Sequence, residues 1–209
     1  MADDPPACLV MAWVDEGPRA GTDEAAFGRA LAALHGTGAP SFGRTDRRTT
    51  GSLALPNDPA ESWSAFYADR RLRPLAARAA DRGSLPMSAI DRLLAVAHDP
   101  ARWGAADERP ARLHGDLWAG NRIVDRAGRS WLVDPAAHGG HREFDLAMMR
   151  LFGGFGPEAF AAYAEVSPLE PGWEARVDLH QLAPLVVHAI KFGGGYASAV
   201  EAALDRLGA

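Results

Sequence analysis

Leu113-His114-Gly115-Asp116-Leu117-Trp118-Ala119-Gly120-Asn121-Arg122-Ile123-Val124, followed by Trp131-Leu132-Val133-Asp134-Pro135, is the stretch whose reading decides the fold. It reads as a tight polar loop, a short strand, a turn at Ala127-Gly128 and a second short strand that ends in a carboxylate. The apolar runs Ile123-Val124 and Trp131-Leu132-Val133 flank a Gly-containing turn, which is a hairpin signal. A hairpin brings the two ends of the stretch together, so Asp116, Asn121 and Asp134 can converge on one point.

That convergence suits phosphoryl transfer, which needs a carboxylate to take the proton of the attacking hydroxyl and oxygen ligands for magnesium. His114-Gly115-Asp116 and Asn121 keep the H-x-D-x-x-x-x-N spacing of a kinase catalytic loop, and Asp134 supplies a later carboxylate beyond the hairpin. Asp116 is read as the base, with Asn121 and Asp134 as magnesium ligands through hard oxygens. Each residue alone reads better as a turn cap or a strand end. The three together, at this spacing and around this hairpin, favour a site.

His114-Gly115-Asp116-Leu117-Trp118-Ala119-Gly120-Asn121, Asp134-Pro135-Ala136 and Gly140-His141-Arg142-Glu143-Phe144-Asp145-Leu146-Ala147 closely resemble the fructosamine kinase (ketosamine-3-kinase) family. That family belongs to the aminoglycoside-phosphotransferase, protein-kinase-like group. Trp118 in the catalytic loop points to fructosamine kinases within that group. The resemblance runs from about Leu9 to Leu207. It implies a mainly α fold with small β hairpins (α+β), the C-terminal lobe of a protein-kinase-like fold. Residues 1–14 would be a hinge-like N-terminal strand, and 15–209 the helical lobe, with the catalytic-loop hairpin at 113–135. It further implies ATP and Mg, adenine contacts from the backbone of Val10, Met11, Ala12 and Trp13, and an acceptor site formed by Trp118, Trp63 and His114. Asp145 would brace the catalytic loop. The chain departs from the family at Ala12, where an acid is usual, and at Arg47-Arg48-Thr49, where an Asp-Asn-Thr type motif normally borders the substrate.

The bulk numbers agree with a globular enzyme lobe. The chain has 209 residues, 47% hydrophobic and 23% charged, with a net charge of -5. No basic surplus points to nucleic acid. No apolar run is long enough to cross a bilayer, so a membrane is not an expected partner. The single Cys8 excludes an intrachain disulfide and fits a reducing cytoplasm.

Elsewhere the patterning is helical. A helix capped by Thr22 carries Phe27, Ala30, Leu31 and Leu34, with His35 as a contact at its C-terminal end. Pro40 to Asp58 is a long loop. Asp58-Pro59 reads as the next helix start, followed by Trp63, Phe66 and Tyr67 on one face. Further helices are expected over Leu72–Ala79, Ser88–Ala97, from Glu143, over Pro157–Val166, Trp173–Ile190 with a kink at Pro184, and Tyr196–Leu207. Phe152-Gly153-Gly154-Phe155-Gly156 lacks the order of a phosphate loop and reads as a turn. His188, among apolar neighbours, reads as a core histidine. His138 and His141 invite a zinc reading but lack further His or Cys ligands near by.

A kinase also needs a Gly-rich hairpin, a strand Lys and a Glu to hold that Lys. The eight residues before Leu9 carry neither Lys nor a Gly loop, and the chain's only Lys is Lys191. The expectation is therefore a hinge plus large lobe with weak or no phosphoryl transfer by this chain alone. The substrate would be a small sugar-amine or a glycated protein. The alternative is a non-catalytic kinase-like module that pairs with a second copy through its uncovered hinge face. A metallophosphoesterase built on His114, Asp116, Asn121, Asp134 and His138 is disfavoured, because its Asp-x-His opening is absent and the remainder reads as helical.

Overall fold

A computed structural model describes residues 10–18, 23–104 and 108–209. Helices predominate. In chain order they are α1 (Glu24–Gly36), α2 (Trp63–Tyr67), α3 (Arg73–Arg82), α4 (Met87–His98), α5 (Glu143–Phe152), α6 (Pro157–Val166), α7 (Trp173–Phe192) and α8 (Gly195–Leu207). A π turn, Ala68–Leu72, joins α2 to α3. The strands are β1 (Thr49–Thr50), β2 (Leu55–Pro56), β3 (Ala111–Leu113), β4 (Arg122–Val124), β5 (Ser130–Leu132) and β6 (His138–Gly140), paired antiparallel as β1–β2, β3–β6 and β4–β5. This is the α+β arrangement that the sequence implies.

Two apolar clusters hold the elements. The larger unites Trp63, Tyr67, Leu75, Leu93, Val186 and Leu204, so α2 to α4 pack on α7 and α8. The smaller joins Phe27 and Leu31 of α1 to Leu146, Ala159 and Tyr163. There α1 and α6 cross so closely that a Cβ on Gly28 would fall 2.0 Å from the carbonyl oxygen of Ala159.

Prolines remove a backbone donor from two helical segments, and a side chain fills each gap. Pro184 lies inside α7 and has no N–H for the carbonyl of His180. The Tyr67 hydroxyl enters this turn, donating to the Leu179 carbonyl at 2.6 Å, lying 3.3 Å from that of His180, and accepting from Ala183 N at 3.2 Å. Such an insertion is a recognised cause of helix distortion. It ties α2 to the middle of α7.

Several local expectations need correction. The second helix starts at Trp63 with Ser62 as its cap, because Pro59-Ala60 is taken up by a backbone bridge from Ala60 to Phe42. Residues 10–15 form no strand; the first pairing is Glu16 with Asp125. Asp23 caps α1 through Ala26 N, while Leu9 and Thr22 lie outside the described residues. His35 is not a helix-end contact but a buried one, hydrogen-bonded to Tyr163 and Asp145.

Tyr67→Phe removes the hydroxyl that bridges the gap in α7 and strands a buried carbonyl. The expected loss is about 1–3 kcal/mol of unfolding free energy, measurable as a lower urea midpoint.

Candidate active site

The catalytic stretch is a hairpin nested inside a ladder. β3 pairs with β6, Leu113 opposite His138, and closes the base. Within it β4 pairs with β5, Ile123 opposite Trp131. Val133 N donates to the Asn121 carbonyl at 3.0 Å, which carries the pairing one step further and delivers Asp134 beside the loop.

Asp145, fully buried on α5, fixes the loop from beneath. Its carboxylate accepts from His114 N at 2.7 Å, Gly115 N at 2.9 Å and His35 Nε2 at 3.1 Å. Burial alone would raise its pKa, but the His35 and backbone hydrogen bonds outweigh it and the net shift is downward. Gly115 has φ +80°, and a Cβ there would meet the Ala136 carbonyl at 2.3 Å, so only glycine fits the turn.

Above this brace Asn121 Nδ2 donates to the Asp116 carbonyl at 2.9 Å and to its carboxylate at 3.2 Å. Burial pushes the Asp116 carboxyl up. His114, Asn121 and His188 act against that, Asp134 adds to it, and the net shift is upward. A raised carboxyl is a better proton acceptor, as a general base requires. Asp134 is exposed, sits at φ +50° and has no ion-pair partner among the described residues. Asn121 donates through its nitrogen, so its Oδ1 remains available. Asn121 Oδ1 and the Asp116 and Asp134 carboxylates are hard oxygen donors, a type that fits magnesium.

Asp116 and Asp134 border a cavity of about 880 Å³ whose walls include Trp118, His138, His188 and Lys191. Trp118 is 40% exposed, its ring edge-on to Phe152. Trp63, expected beside the acceptor, is instead fully buried and stacked on Tyr67 with centroids 5.1 Å apart. An aromatic stripe at helical spacing is satisfied by core packing before it can serve a ligand. His114 is likewise buried; its Nε2 lies 3.0 Å from the Val133 carbonyl and its Nδ1 accepts from Asp116 N at 3.3 Å. It shapes the loop rather than walling the cavity. Val10, Met11 and Trp13 stand 88%, 65% and 89% exposed, and Ala12 is exposed beside them.

His188 was not legible as a cavity residue. Its Nδ1 is 2.7 Å from the Pro184 carbonyl, so that nitrogen carries the hydrogen and Nε2 keeps its lone pair. Phe152 and Tyr196 flank the ring, each with centroids 5.0 Å away. Pro184, Val187, His188 and Lys191 all face the cavity. Their i, i+3, i+4, i+7 spacing was the available signal: one helix face carrying two polar residues.

His141, Glu143 and His180 bring ligand atoms within 4.8 Å of one another. His141 Nδ1 accepts from Glu143 N at 3.2 Å, which puts its hydrogen on Nε2, the atom a metal would need. Burial would raise Glu143, yet the Arg176 hydrogen bonds and the nearby His180 ring hold it at about 2. The group is a buried ion network.

A ladder-closed hairpin on a helical body is a kinase-like phosphotransferase fold. The fold is shared with a macrolide 2'-phosphotransferase (TM-score 0.51, 18% identity, 96% of this chain and 64% of that one) and a choline/ethanolamine kinase family protein of Mesorhizobium loti (TM-score 0.55, 19% identity, 90% and 63%). Within that class the chain belongs to the fructosamine kinase family, whose sequence pattern matches residues 3–209. A probable ketoamine kinase of Enterococcus faecium is 36% identical over 95% of this chain and 71% of its own length, and one from Synechocystis is 37% identical over 90% and 63%. A crystal structure from Thermobifida fusca, assigned as a candidate fructosamine-3-kinase, has 43% identity and a TM-score of 0.88, over 93% of this chain and 68% of that one. The chain thus spans 63–71% of these three relatives' lengths.

His138 and His141 make stability pH-dependent. Burial is the largest cause in both and depresses them to about 3 and about 4, so the folded protein keeps them neutral. The unfolded chain binds protons near pH 6.5 and the folded chain does not, so stability is complete above about 6.5 and falls as the pH drops toward 4. Between pH 7.5 and 5.5 the unfolding free energy should fall by about 2–3 kcal/mol for the pair, read from urea titrations at the two pH values.

Proposed function

We propose that this protein is an ATP- and magnesium-dependent phosphotransferase acting on a sugar hydroxyl of a ketosamine-type acceptor. The observation that carries the reading is the Asp116 carboxylate, hydrogen-bonded by Asn121 and bordering one cavity with Asp134 and Trp118. Asp116 accepts the proton of the acceptor hydroxyl as its oxygen attacks the terminal phosphorus of ATP and the bond to ADP breaks. Asn121 holds Asp116 in place, and its Oδ1 and the Asp134 carboxylate would hold the cation. Trp118 offers an apolar face to the sugar. Magnesium, when bound, would neutralise charge on the transferring phosphoryl group.

The acceptor class is a ketosamine, either free or formed on a lysine of a glycated protein. Turnover by these 209 residues alone is expected to be low. A triphosphate needs cationic and backbone partners, and the single lysine, Lys191, stands on the cavity wall formed by α7. No helix among the described residues is long and apolar enough to cross a membrane. A cytoplasmic setting suits an ATP-dependent enzyme with one cysteine.

A second reading, a binding module that pairs with a second copy, is favoured by the exposed apolar side chains of Val10, Met11 and Trp13. Light scattering separates the two: a monomer removes the second reading, and a dimer that Trp13→Ser dissociates supports it.

The kinase reading predicts magnesium-dependent ATP consumption with a fructosamine acceptor, reduced about 10²- to 10⁴-fold in Asp116→Asn. A coupled ADP assay tests it. Activity unchanged in that variant would remove Asp116 from the reaction.

A further inference from the structure

One wall of the cavity holds a buried cation that no acid answers. Arg71 lines the cavity but is only 3% exposed. Its Nη1 donates to the carbonyls of Pro56 and Arg70, and its Nη2 to Asn57 Oδ1 at 2.8 Å. The guanidinium lies 4.5 Å above the Phe66 ring. These partners are neutral, and no carboxylate lies within ion-pair distance of Arg71 among the described residues. Burying a guanidinium without a counter-charge is expensive. Burial depresses its pKa to about 9, still charged at neutral pH.

The local backbone accounts for the side chain's placement. Pro74 follows in the first turn of α3 and has no N–H to give the Arg70 carbonyl. Arg71 Nη1 fills that vacancy from within the π turn, a helix defect often found at functional sites. The guanidinium has five N–H donors, and the three bonds above leave Nε and one Nη2 hydrogen unused.

A second unpaired group shares the same ring. His138 also lines the cavity and stacks on Phe66 with centroids 5.4 Å apart. Its Nδ1 lies 2.9 Å from the Ala136 carbonyl and so carries the hydrogen, while its buried Nε2 has no partner. A cationic donor with spare hydrogens and a neutral acceptor without a partner thus both pack on Phe66 and both line the cavity. The two acids of the cavity, Asp116 and Asp134, belong to the catalytic hairpin.

We propose that Arg71 and His138 form a subsite for the amino-acid end of the acceptor, in which Arg71 pairs with a free carboxylate and His138 Nε2 accepts from the adjacent amine. The ligand class is a ketosamine of a free α-amino acid, in preference to a glycated side chain in a protein. This rests on the phosphotransferase reading for the sugar end, and adds a carboxylate requirement which that reading does not contain.

Calorimetric binding of two ketosamines, fructosyl-glycine and fructosyl-glycinamide, tests the subsite without turnover. The carboxylate form should bind about tenfold or more tightly. Arg71→Met should bring the ratio close to one, and Arg71→Lys should keep part of it. Should the Arg71 variants fail to fold, the wild-type ratio and that of His138→Phe, expected to weaken both ligands, still decide. Equal wild-type affinities would overturn the subsite. If both ligands are nevertheless phosphorylated, the phosphotransferase reading stands without it; if neither binds, both fall.

Discussion

The site hangs on one buried carboxylate. Asp145 has no access to water, yet it is charged, because two consecutive backbone N–H groups and a histidine converge on it. In a low-dielectric interior such a group is tolerable only when its oxygens are filled, and then its bonds are strong. Those bonds fix the backbone of His114 and Gly115, two and one residues before Asp116. They also bind three parts of the molecule to one another: α1 through His35, the catalytic loop, and α5. Replacing Asp145 by an apolar residue would leave the His114 and Gly115 N–H groups and His35 Nε2 without this partner. The orientation of Asp116 therefore depends on a residue that never touches the cavity.

The opposite wall depends on a different device. Prolines at 74 and 184 each remove a helical hydrogen-bond donor, and in each case a side chain from the α2–α3 region answers. Arg71 satisfies the Arg70 carbonyl, and the Tyr67 hydroxyl enters the Pro184 turn of α7. Helix α7 is thereby held by α2 at the same turn from which Pro184 fixes His188. The backbone defects give the cavity polar groups that an uninterrupted pair of helices would have kept to themselves.

Much of this was legible and some was not, for physical reasons. The hairpin between Asn121 and Asp134 is local, so turn chemistry and alternating apolar residues suffice to place it. Most of the stripes of α1, α4 and α5 follow from periodicity, though Ala30 and Leu94 face solvent. The β3–β6 ladder joins segments some 25 positions apart and has no signature of its own, because Gly139 and Gly140 read as loop. Trp63 misled because a large aromatic reads alike on a core face and on a pocket wall. His188 misled in the opposite direction: its apolar neighbours surround a cavity instead of a core. His35, Asp145 and Tyr163 come together over more than a hundred residues, which no spacing argument reaches. The comparisons establish the family. They leave the roles of the individual side chains to chemistry.

One further consequence lies in the backbone of Asp134. This residue occupies the left-handed region at φ +50°, where only Ala54 joins it among the described non-glycine residues. Aspartate tolerates that conformation at a modest cost, and glycine has no such cost. Selection for heat resistance alone would therefore drift toward glycine here and discard the carboxylate. A thermostabilised library screened without an activity filter would reveal position 134 as a place where endurance and chemistry pull apart.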